Sequence, residues 1–435
     1  HPDAAEFFAD TWTRILLNCR FEEATPLKIN FPAFRGWLKT AYADDLPYRE
    51  FARMLLSDHG DNVKKPASNF LLAAVDPNEP PWELTDRTTR VFLGLQIQCA
   101  RCHDHPFEKW TQEDFWGLTA FFNGVKGKAR TTFDGFGVKL VAEPKGMMMI
   151  PDTKTEARPR FLDGRAPAEG EAPLAALARF VLEHPQFHRA IVNRVWGHFM
   201  GRGFVDPVDR FTAKSQAEHL ALFDRLTDDF VKGGTRLKPL MRTILLSTPY
   251  QAGCAMPGDR DVDGHAVMRL KPQNPIQVLN MLVYTLQMDT FLEQFYQGYL
   301  KNFGDDNFFA KSYGNRDVFR MFLHLFAQGL LAPSGVAPEE SKYTGSVRLA
   351  LKLMNGGDLQ NLVKAEWGLL AKILKKESTP EGRLVEIFLT LLSRPPDAAE
   401  QERYLAYIKR KGNTAAAYED IYWVLLNSTE MIFNH

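Results

Sequence analysis

Hydrophobic residues recur along most of the chain with the three- and four-residue spacing of amphipathic helices. In the stretch TQEDFWGLTAFFNG, Thr111 and Asp114 form a capping box, helically spaced apolar residues follow, and Gly124 ends the run. Asp397 and Glu400 form a second capping box at the start of DAAEQERYLAYIKRKGN. The pattern predicts a mainly α protein.

Other segments show the same spacing, including APLAALARFVLEHPQFHRAIVNRVWGHFM, HLALFDRLTDDFVKGG, LKPLMRTILLS, PIQVLNMLVYTLQ and LVEIFLTLLS. TDRTTRVFLGLQIQ is also predicted to be helical, and the helix would place five residues roughly along one side: Leu84, Val91, Leu95, Cys99 and Cys102.

One segment departs from the helical pattern. Between residues 126 and 164, short alternating stretches are mixed with Gly, Pro and Asp, which suits a small hairpin or an irregular connector. The predicted fold is therefore mainly α, with two helical regions joined by a short β-hairpin or irregular connector. The predicted boundaries are 1–125 for the first helical domain, 126–172 for the connector and 173–435 for the second helical domain.

Length and charge narrow the class of protein. A chain of 435 residues exceeds what one hydrophobic core usually organises, which favours two domains. Lys plus Arg and Asp plus Glu both total 53, so bulk charge indicates no nucleic-acid partner. No apolar run is long enough to span a bilayer, so we do not expect a transmembrane protein. The first residues, HPDAAEFF, lack a starting Met and the layout of a signal peptide, which favours a mature or trimmed chain.

The clearest chemical signal is the stretch QIQCARCHDHPFEKW, in which Cys99, Cys102 and His103 form C-x-x-C-H. This pattern is typical of covalent haem c attachment, because each thiol adds to one porphyrin vinyl group and the adjacent histidine becomes the proximal iron ligand. A helix leading into the motif would bury the edge of the ring against apolar residues.

Two other interpretations of the motif stay open. A redox dithiol prefers a β-α-β context, whereas this sequence predicts helix after helix. A zinc site would use Cys99, Cys102, His103 and His105, although structural zinc sites usually join two ligand pairs separated by a dozen or more residues. The pattern favours haem over both.

Further candidate contacts lie on either side of the motif. His105 is expected to make a hydrogen bond beside the cofactor, and Trp110 to lie against it, with plain packing of DHPFEKW as the alternative. A distal iron ligand is either absent or supplied from elsewhere, and the candidates are Met148 in GMMMIP and His198.

A second polar cluster lies in NRVWGHFMGRGFVDPVDRF. Its members are Asn193, Arg194, Arg202, Asp206 and Asp209. An arginine beside carboxylates and aromatic rings can hold haem propionates or a sugar ring, which makes Arg194 a candidate cofactor contact. The favoured interpretation is structural, a buried Arg–Asp network that closes a helix turn.

Much of the chain resembles a known domain pair. FLGLQIQCARCHDHPFEKWTQEDFWGLTAFFNGV and the upstream FRGWLKTAYADDLPYREFARMLLSDHGDN resemble the second planctomycete-type cytochrome c-associated domain. HRAIVNRVWGHFMGRGFVDPVDRF, LKPLMRTILLSTPYQ, LVEIFLTLLSRPPDAAEQERYL and YWVLLNSTEMIFNH resemble its usual partner, the planctomycete-specific domain PSD one. The resemblance implies a periplasmic or secreted protein, and it supplies no activity. Outside the cytoplasm Cys19 and Cys254 would either pair as a disulfide or be buried as small apolar residues.

Two functional hypotheses follow from the sequence. The first is an extracytoplasmic c-type haem protein that transfers electrons to an unidentified partner, or that acts as a haem-dependent oxidoreductase if its distal site is open. The second is a non-redox module that binds polysaccharide or protein, with the motif serving as a structural zinc site.

Overall fold

The computed structural model describes residues 2–17, 29–75, 79–130, 137–143, 146–215, 217–252, 271–273, 275–286, 363–366 and 368–434. Their contacts form two compact units, one of the described residues up to Ala252 and one of those from Lys271 onward. Cys19 and Cys254 lie outside the described residues. The predicted boundaries at 125 and 172 stay predictions, and the first unit extends across both positions.

The first unit is built mostly from helices. They are α1 (Pro2–Leu17), α2 (Phe31–Ala43), α3 (Tyr48–Ser57), α4 (Asn69–Leu72), α5 (Trp82–Thr88), α6 (Gln112–Thr119), α7 (Pro173–Glu183), α8 (Gln186–Met200), α9 (Leu220–Lys232), α10 (Leu237–Leu245) and α11 (Thr248–Gln251). Short 3₁₀ turns cover Pro66–Ser68, Gln98–Arg101 and Ala120–Phe122.

A small antiparallel sheet follows α6. Strands β2 (Val125–Arg130) and β3 (Gly137–Ala142) pair so that Val125 faces Ala142, and β1 (Gly60–Asp61) lies on the other side of β3. A two-residue pair, β4 (Met148–Met149) and β5 (Glu156–Ala157), completes the connector. The predicted fold class, mainly α with a short β connector, is confirmed.

Aromatic rings fill the core of the first unit around Tyr48, which is fully buried at the start of α3. Its ring stacks on Phe187 of α8 at 5.1 Å between centroids, and Trp12 of α1 meets Phe51 of α3 edge-on at 5.6 Å. Helices α1 and α2 are also joined by a buried ion-pair network, in which Arg35 donates to Asp10 and to Glu6. Breaking either pair would leave a buried charge uncompensated.

The second unit packs helices around a separate apolar core. Its elements are β6 (Lys271–Pro272), α12 (Pro275–Leu286), α13 (Gly368–Lys376), α14 (Pro380–Leu392), α15 (Ala398–Arg410), α16 (Ala415–Leu426), α17 (Thr429–Ile432) and β7 (Phe433–Asn434), with β6 antiparallel to β7. Phe388, Tyr418 and Tyr422 are almost completely buried, and the Tyr422 hydroxyl donates to the carbonyl of Thr285 at 2.6 Å. Among the described residues, no helix is both long enough and apolar enough to cross a membrane.

Candidate functional site

The helix that leads toward the cysteine motif ends earlier than the sequence predicts. Helix α5 passes into one turn of π-helix over Thr89–Leu93, and Gly94 then adopts a left-handed conformation with φ of 65°. The amide of Leu95 closes the end by donating to the carbonyl of Thr89 at 3.0 Å. The prediction of a helix running to residue 98 is therefore wrong beyond Leu93.

This early stop changes the surroundings of the two thiols. Leu84, Val91 and Leu95 are buried, whereas Cys99 and Cys102 are free and exposed on a separate 3₁₀ turn. The expected apolar side shared by all five residues does not form, because the left-handed turn at Gly94 redirects the chain before the motif.

A backbone contact joins the two cysteines across the turn. The amide of Cys102 donates to the carbonyl of Cys99 at 3.4 Å, which closes the turn. In a 3₁₀ turn, positions three apart lie nearly above one another. Cys99 lies in the 3₁₀ turn and Cys102 caps its end, and both residues are exposed.

His103 directly follows and is also exposed. Its Nδ1 lies 2.7 Å from the carbonyl oxygen of Asp104. A carbonyl only accepts, so Nδ1 carries the proton, and in the neutral ring Nε2 keeps its lone pair. A histidine that donates Nδ1–H to a backbone carbonyl is prepared to bind metal through Nε2.

His105 has the opposite arrangement. Its Nδ1 accepts the amide N–H of Phe107 at 3.2 Å and that of Glu108 at 3.0 Å. The neutral ring therefore carries its proton on Nε2, which leaves no lone pair for a metal. In this conformation His105 is a hydrogen-bond donor toward its surroundings and shapes the loop that follows the motif.

The turn is held from beneath by α6. The indole N–H of Trp116 donates to the carbonyl of Arg101 at 3.0 Å, and the side chain of Gln112 donates to the carbonyls of Cys102 at 3.1 Å and Arg101 at 3.3 Å. The guanidinium of Arg101 lies over the ring of Trp82, 4.2 Å from its centroid. These contacts fix the backbone between and after the thiols without covering the sulfurs.

The loop from Asp104 to Thr111 is closed by its own hydrogen bonds. The amide of His105 donates to the carbonyl of Trp110 at 2.8 Å, and the carboxylate of Asp104 accepts the amide of Gln112 at 2.8 Å. Trp110 is half-buried, with the ammonium of Lys109 4.9 Å from its ring centroid. Phe107, at the outer part of the loop, is 77% exposed.

The two predicted distal ligands contact residues of other elements. Met148 is half-buried in β4, where it pairs with Ala157 of β5. His198 lies on α8 with its ring 5.8 Å from that of Phe7 and 5.0 Å from that of Phe199. Neither set of contacts involves the cysteine turn, and both distal assignments stay predictions.

Three members of the second polar cluster are buried, Asn193, Arg194 and Asp209, whereas Arg202 is half-buried and Asp206 is exposed. Arg194 donates to the carbonyl of Arg90 at 3.1 Å, and the guanidinium of Arg90 lies 3.4 Å from the carboxylate of Asp209. Asp209 also accepts the side-chain amide of Gln96 at 3.2 Å. The ion pair of Asp209 is thus with Arg90, which the predicted cluster did not include, and Arg202 pairs with Glu218. The Arg–Asp network among the predicted members and the role of Arg194 as a cofactor contact stay predictions.

Sequence reasoning missed Asp86, which is buried one turn before Arg90. Its carboxylate lies 3.8 Å from the Arg90 guanidinium. Burial raises the pKa of the Asp86 carboxyl, and the neighbouring charges of Arg90 and Arg87 oppose that rise. The i, i+4 spacing of Asp86 and Arg90 could have predicted their ion pair. It could not have predicted burial, because pairs at this spacing on a helix are more often exposed.

The described residues contain no group of three or more His, Cys, Asp and Glu side chains arranged to hold a metal ion. A zinc site at Cys99, Cys102, His103 and His105 would therefore require the turn to rearrange and His105 to give up its two backbone hydrogen bonds. Haem attachment would not use His105 as a ligand, because it uses two thiols and one imidazole nitrogen.

Taken together, fold and site define a mainly α protein that displays an exposed Cys-x-x-Cys-His turn on a helical support. Residues 1–127 match the family PSCyt2, described as a protein of unknown function (DUF1549), and residues 175–275 match PSD1, described as a protein of unknown function (DUF1553). The chain thus has the architecture of a planctomycete cytochrome-associated domain followed by PSD1, and the resemblance seen in the sequence is confirmed. Searches of curated proteins and of solved structures gave no match.

Proposed function

We propose that this protein is an extracytoplasmic c-type haem protein whose function is electron transfer or haem-based redox chemistry. The observation that carries the proposal is the combination of two free, exposed thiols on one 3₁₀ turn with a histidine whose Nε2 is available. Covalent haem attachment uses two accessible thiols and one imidazole nitrogen, and these three groups follow one another within residues 99–103.

The thiols would form the covalent bonds. Each S–H would add across a vinyl double bond, with a carbon–sulfur bond at one vinyl carbon and the hydrogen on the other, so no external oxidant would be needed. Cys99 and Cys102 would each bond one vinyl group, and His103 would supply the proximal nitrogen. When bound, the group supplies reversible one-electron chemistry.

The other residues of the site would orient these three. The hydrogen bond from Nδ1 of His103 to the carbonyl of Asp104 fixes the tautomer and raises the basicity of Nε2. Gln112 and Trp116 hold the backbone carbonyls of the turn. The exposure of both thiols agrees with an attachment step in which an external ligand must reach them, and such attachment takes place outside the cytoplasm.

The experiment is expression in a host with haem c maturation machinery, followed by intact mass and visible spectrum of the purified protein. We expect the mass to increase by one haem and a Soret band to survive denaturation. Variants Cys99→Ala and Cys102→Ala should each keep at most one thioether bond, and His103→Ala should shift the visible spectrum while retaining the covalent mass. A colourless wild-type protein of unmodified mass would contradict the proposal. Metal analysis and polysaccharide binding would then be the next measurements.

A further inference from the structure

We propose that residues 209–213, which follow α8, act as a clamp that holds both ends of the loop carrying Cys99, Cys102 and His103. We call residues 209–213 the clamp segment. The clamp segment lies within the region matched by PSD1, while the loop lies within the region matched by PSCyt2. The inference deepens the proposed function, on which the part about haem attachment rests.

The first anchor lies ahead of the motif. The amide of Phe211 donates to the carbonyl of Gly94 at 2.7 Å. The Phe211 ring covers Gly94 so closely that a Cβ added there would lie 2.6 Å from a ring carbon. Two residues on, the side chain of Gln96 donates to the carboxylate of Asp209 at 3.2 Å. Both Phe211 and Asp209 are buried, so this end of the loop is held in the interior.

The second anchor lies after the motif. The carboxylate of Glu108 accepts the backbone amide of Ala213 at 3.1 Å. The amide of Glu108 in turn donates to Nδ1 of His105 at 3.0 Å, two residues beyond His103. Glu108 therefore connects the clamp segment to His105 by two hydrogen bonds, one at its carboxylate and one at its amide.

The two anchors lie on opposite sides of the cysteine motif along the chain. In the loop of residues 94–108, Gly94 and Glu108 both contact the clamp segment, and the C-x-x-C-H motif lies between these two contacts. A loop fixed at both ends by the same short segment has fewer conformations, which lowers the entropy cost of presenting two thiols and a histidine together. Gln96 and Glu108 are thus positioning residues, which act through the backbone and touch no ligand themselves.

The test uses the full chain and two variants at the partly buried ends of the anchors, Gln96→Ala and Glu108→Ala, alone and combined. Glu108→Gln is the conservative variant, because its amide oxygen can still accept the Ala213 N–H. Glu171→Ala is the control, because Glu171 also accepts a backbone amide, that of Ala168, elsewhere in the first unit, in addition to its ion pair with Arg179. Hydrogen exchange of the amides of residues 102–108 is measured without haem, and the fraction of chains carrying covalent haem is measured after maturation.

We expect Glu108→Ala to speed exchange in residues 102–108 by about fivefold, the effect of losing one hydrogen bond, and the double variant by more. Glu108→Gln and Glu171→Ala should leave that exchange as in the wild type. The double variant should also carry covalent haem in fewer chains, with recovery when Glu108→Gln replaces Glu108→Ala.

Unchanged exchange in the double variant would overturn the clamp. Faster exchange with complete haem attachment in every variant would overturn its positioning role. If the wild type takes up no haem while the exchange rates change as expected, the clamp is upheld and the proposed function fails.

Discussion

At the scale of single residues, His103 and His105 lie two positions apart and differ in which ring nitrogen is protonated. His103 donates from Nδ1 to a carbonyl, whereas His105 accepts two amides at Nδ1. We predict that ¹⁵N-detected histidine NMR of the haem-free protein at neutral pH will show a protonated Nδ1 for His103 and a protonated Nε2 for His105. Both rings in the same tautomer would remove the argument that only His103 is prepared to bind iron.

Gly94 is the second residue whose conformation fixes the site. A Cβ at this position would combine the cost of a left-handed conformation with overlap of the Phe211 ring. We predict that Gly94→Ala lowers the free energy of unfolding by about 3 kcal/mol, from about 1 kcal/mol of backbone strain and about 2 kcal/mol of overpacking.

Gly170 provides the control for that measurement. It has φ of 76° and no heavy atom within 4 Å of the added Cβ, so Gly170→Ala should cost only the backbone part, about 1 kcal/mol. Both variants are compared with the wild type by urea unfolding monitored in the first unit through hydrogen exchange. Equal losses in the two variants would show that Phe211 does not press on Gly94.

At the scale of elements, the sequence predicted best where a local rule determines the structure. The capping boxes at Thr111 with Asp114 and at Asp397 with Glu400 are both present. The predicted helix across residues 85–98 was wrong beyond Leu93, because apolar spacing continues through Gly94 although Gly94 is left-handed and ends the helix. The packing of Phe211 against Gly94, from more than a hundred residues away, leaves no trace in that spacing. The tautomers of the two histidines and the contacts of Asp209 likewise depend on neighbours that no sequence spacing reveals.

The start of α15 is stabilised by charge as well as by its capping box. Arg394 donates two hydrogen bonds to Glu400 and two to Glu430. Hydrogen bonding from Arg394 lowers the pKa of Glu400 to about 2. A carboxyl whose pKa falls on folding stabilises the protein above its unfolded pKa, and that contribution disappears as pH falls through the folded value.

We therefore predict that the thermal midpoint of the second unit falls between about pH 4.5 and about pH 2, and falls less in Glu400→Gln. Glu386→Gln is the control, since Glu386 makes a single exposed pair with Lys376 that is worth little. Calorimetry over this pH range makes the comparison. A Glu400→Gln protein with the same pH dependence as the wild type would show that the Arg394 network contributes nothing measurable.

At the scale of the whole molecule, the two family matches and the compact units divide the chain differently. The described part of the PSD1 match up to Ala252 lies in the same unit as the PSCyt2 match. The shared core explains this, because Tyr48 of α3 stacks on Phe187 of α8 and its amide donates to the carbonyl of Thr235 at 2.8 Å. The clamp segment adds a third link between the two matched regions.

A chain cut after residue 172 would keep the whole PSCyt2 match. It would lose α7, which packs on α3, and α8, which packs on Tyr48 and on the π-helical turn before the motif. We predict that residues 1–172 will not unfold cooperatively, because their largest buried side chains become exposed to water, whereas residues 1–252 will. Circular dichroism melting and hydrogen exchange of α2 and α3 distinguish the two fragments. Protected amides in α2 and α3 of the 1–172 fragment would mean that the PSCyt2 region folds alone. In that case the PSD1 region would position the cysteine turn without being required for the fold beneath it.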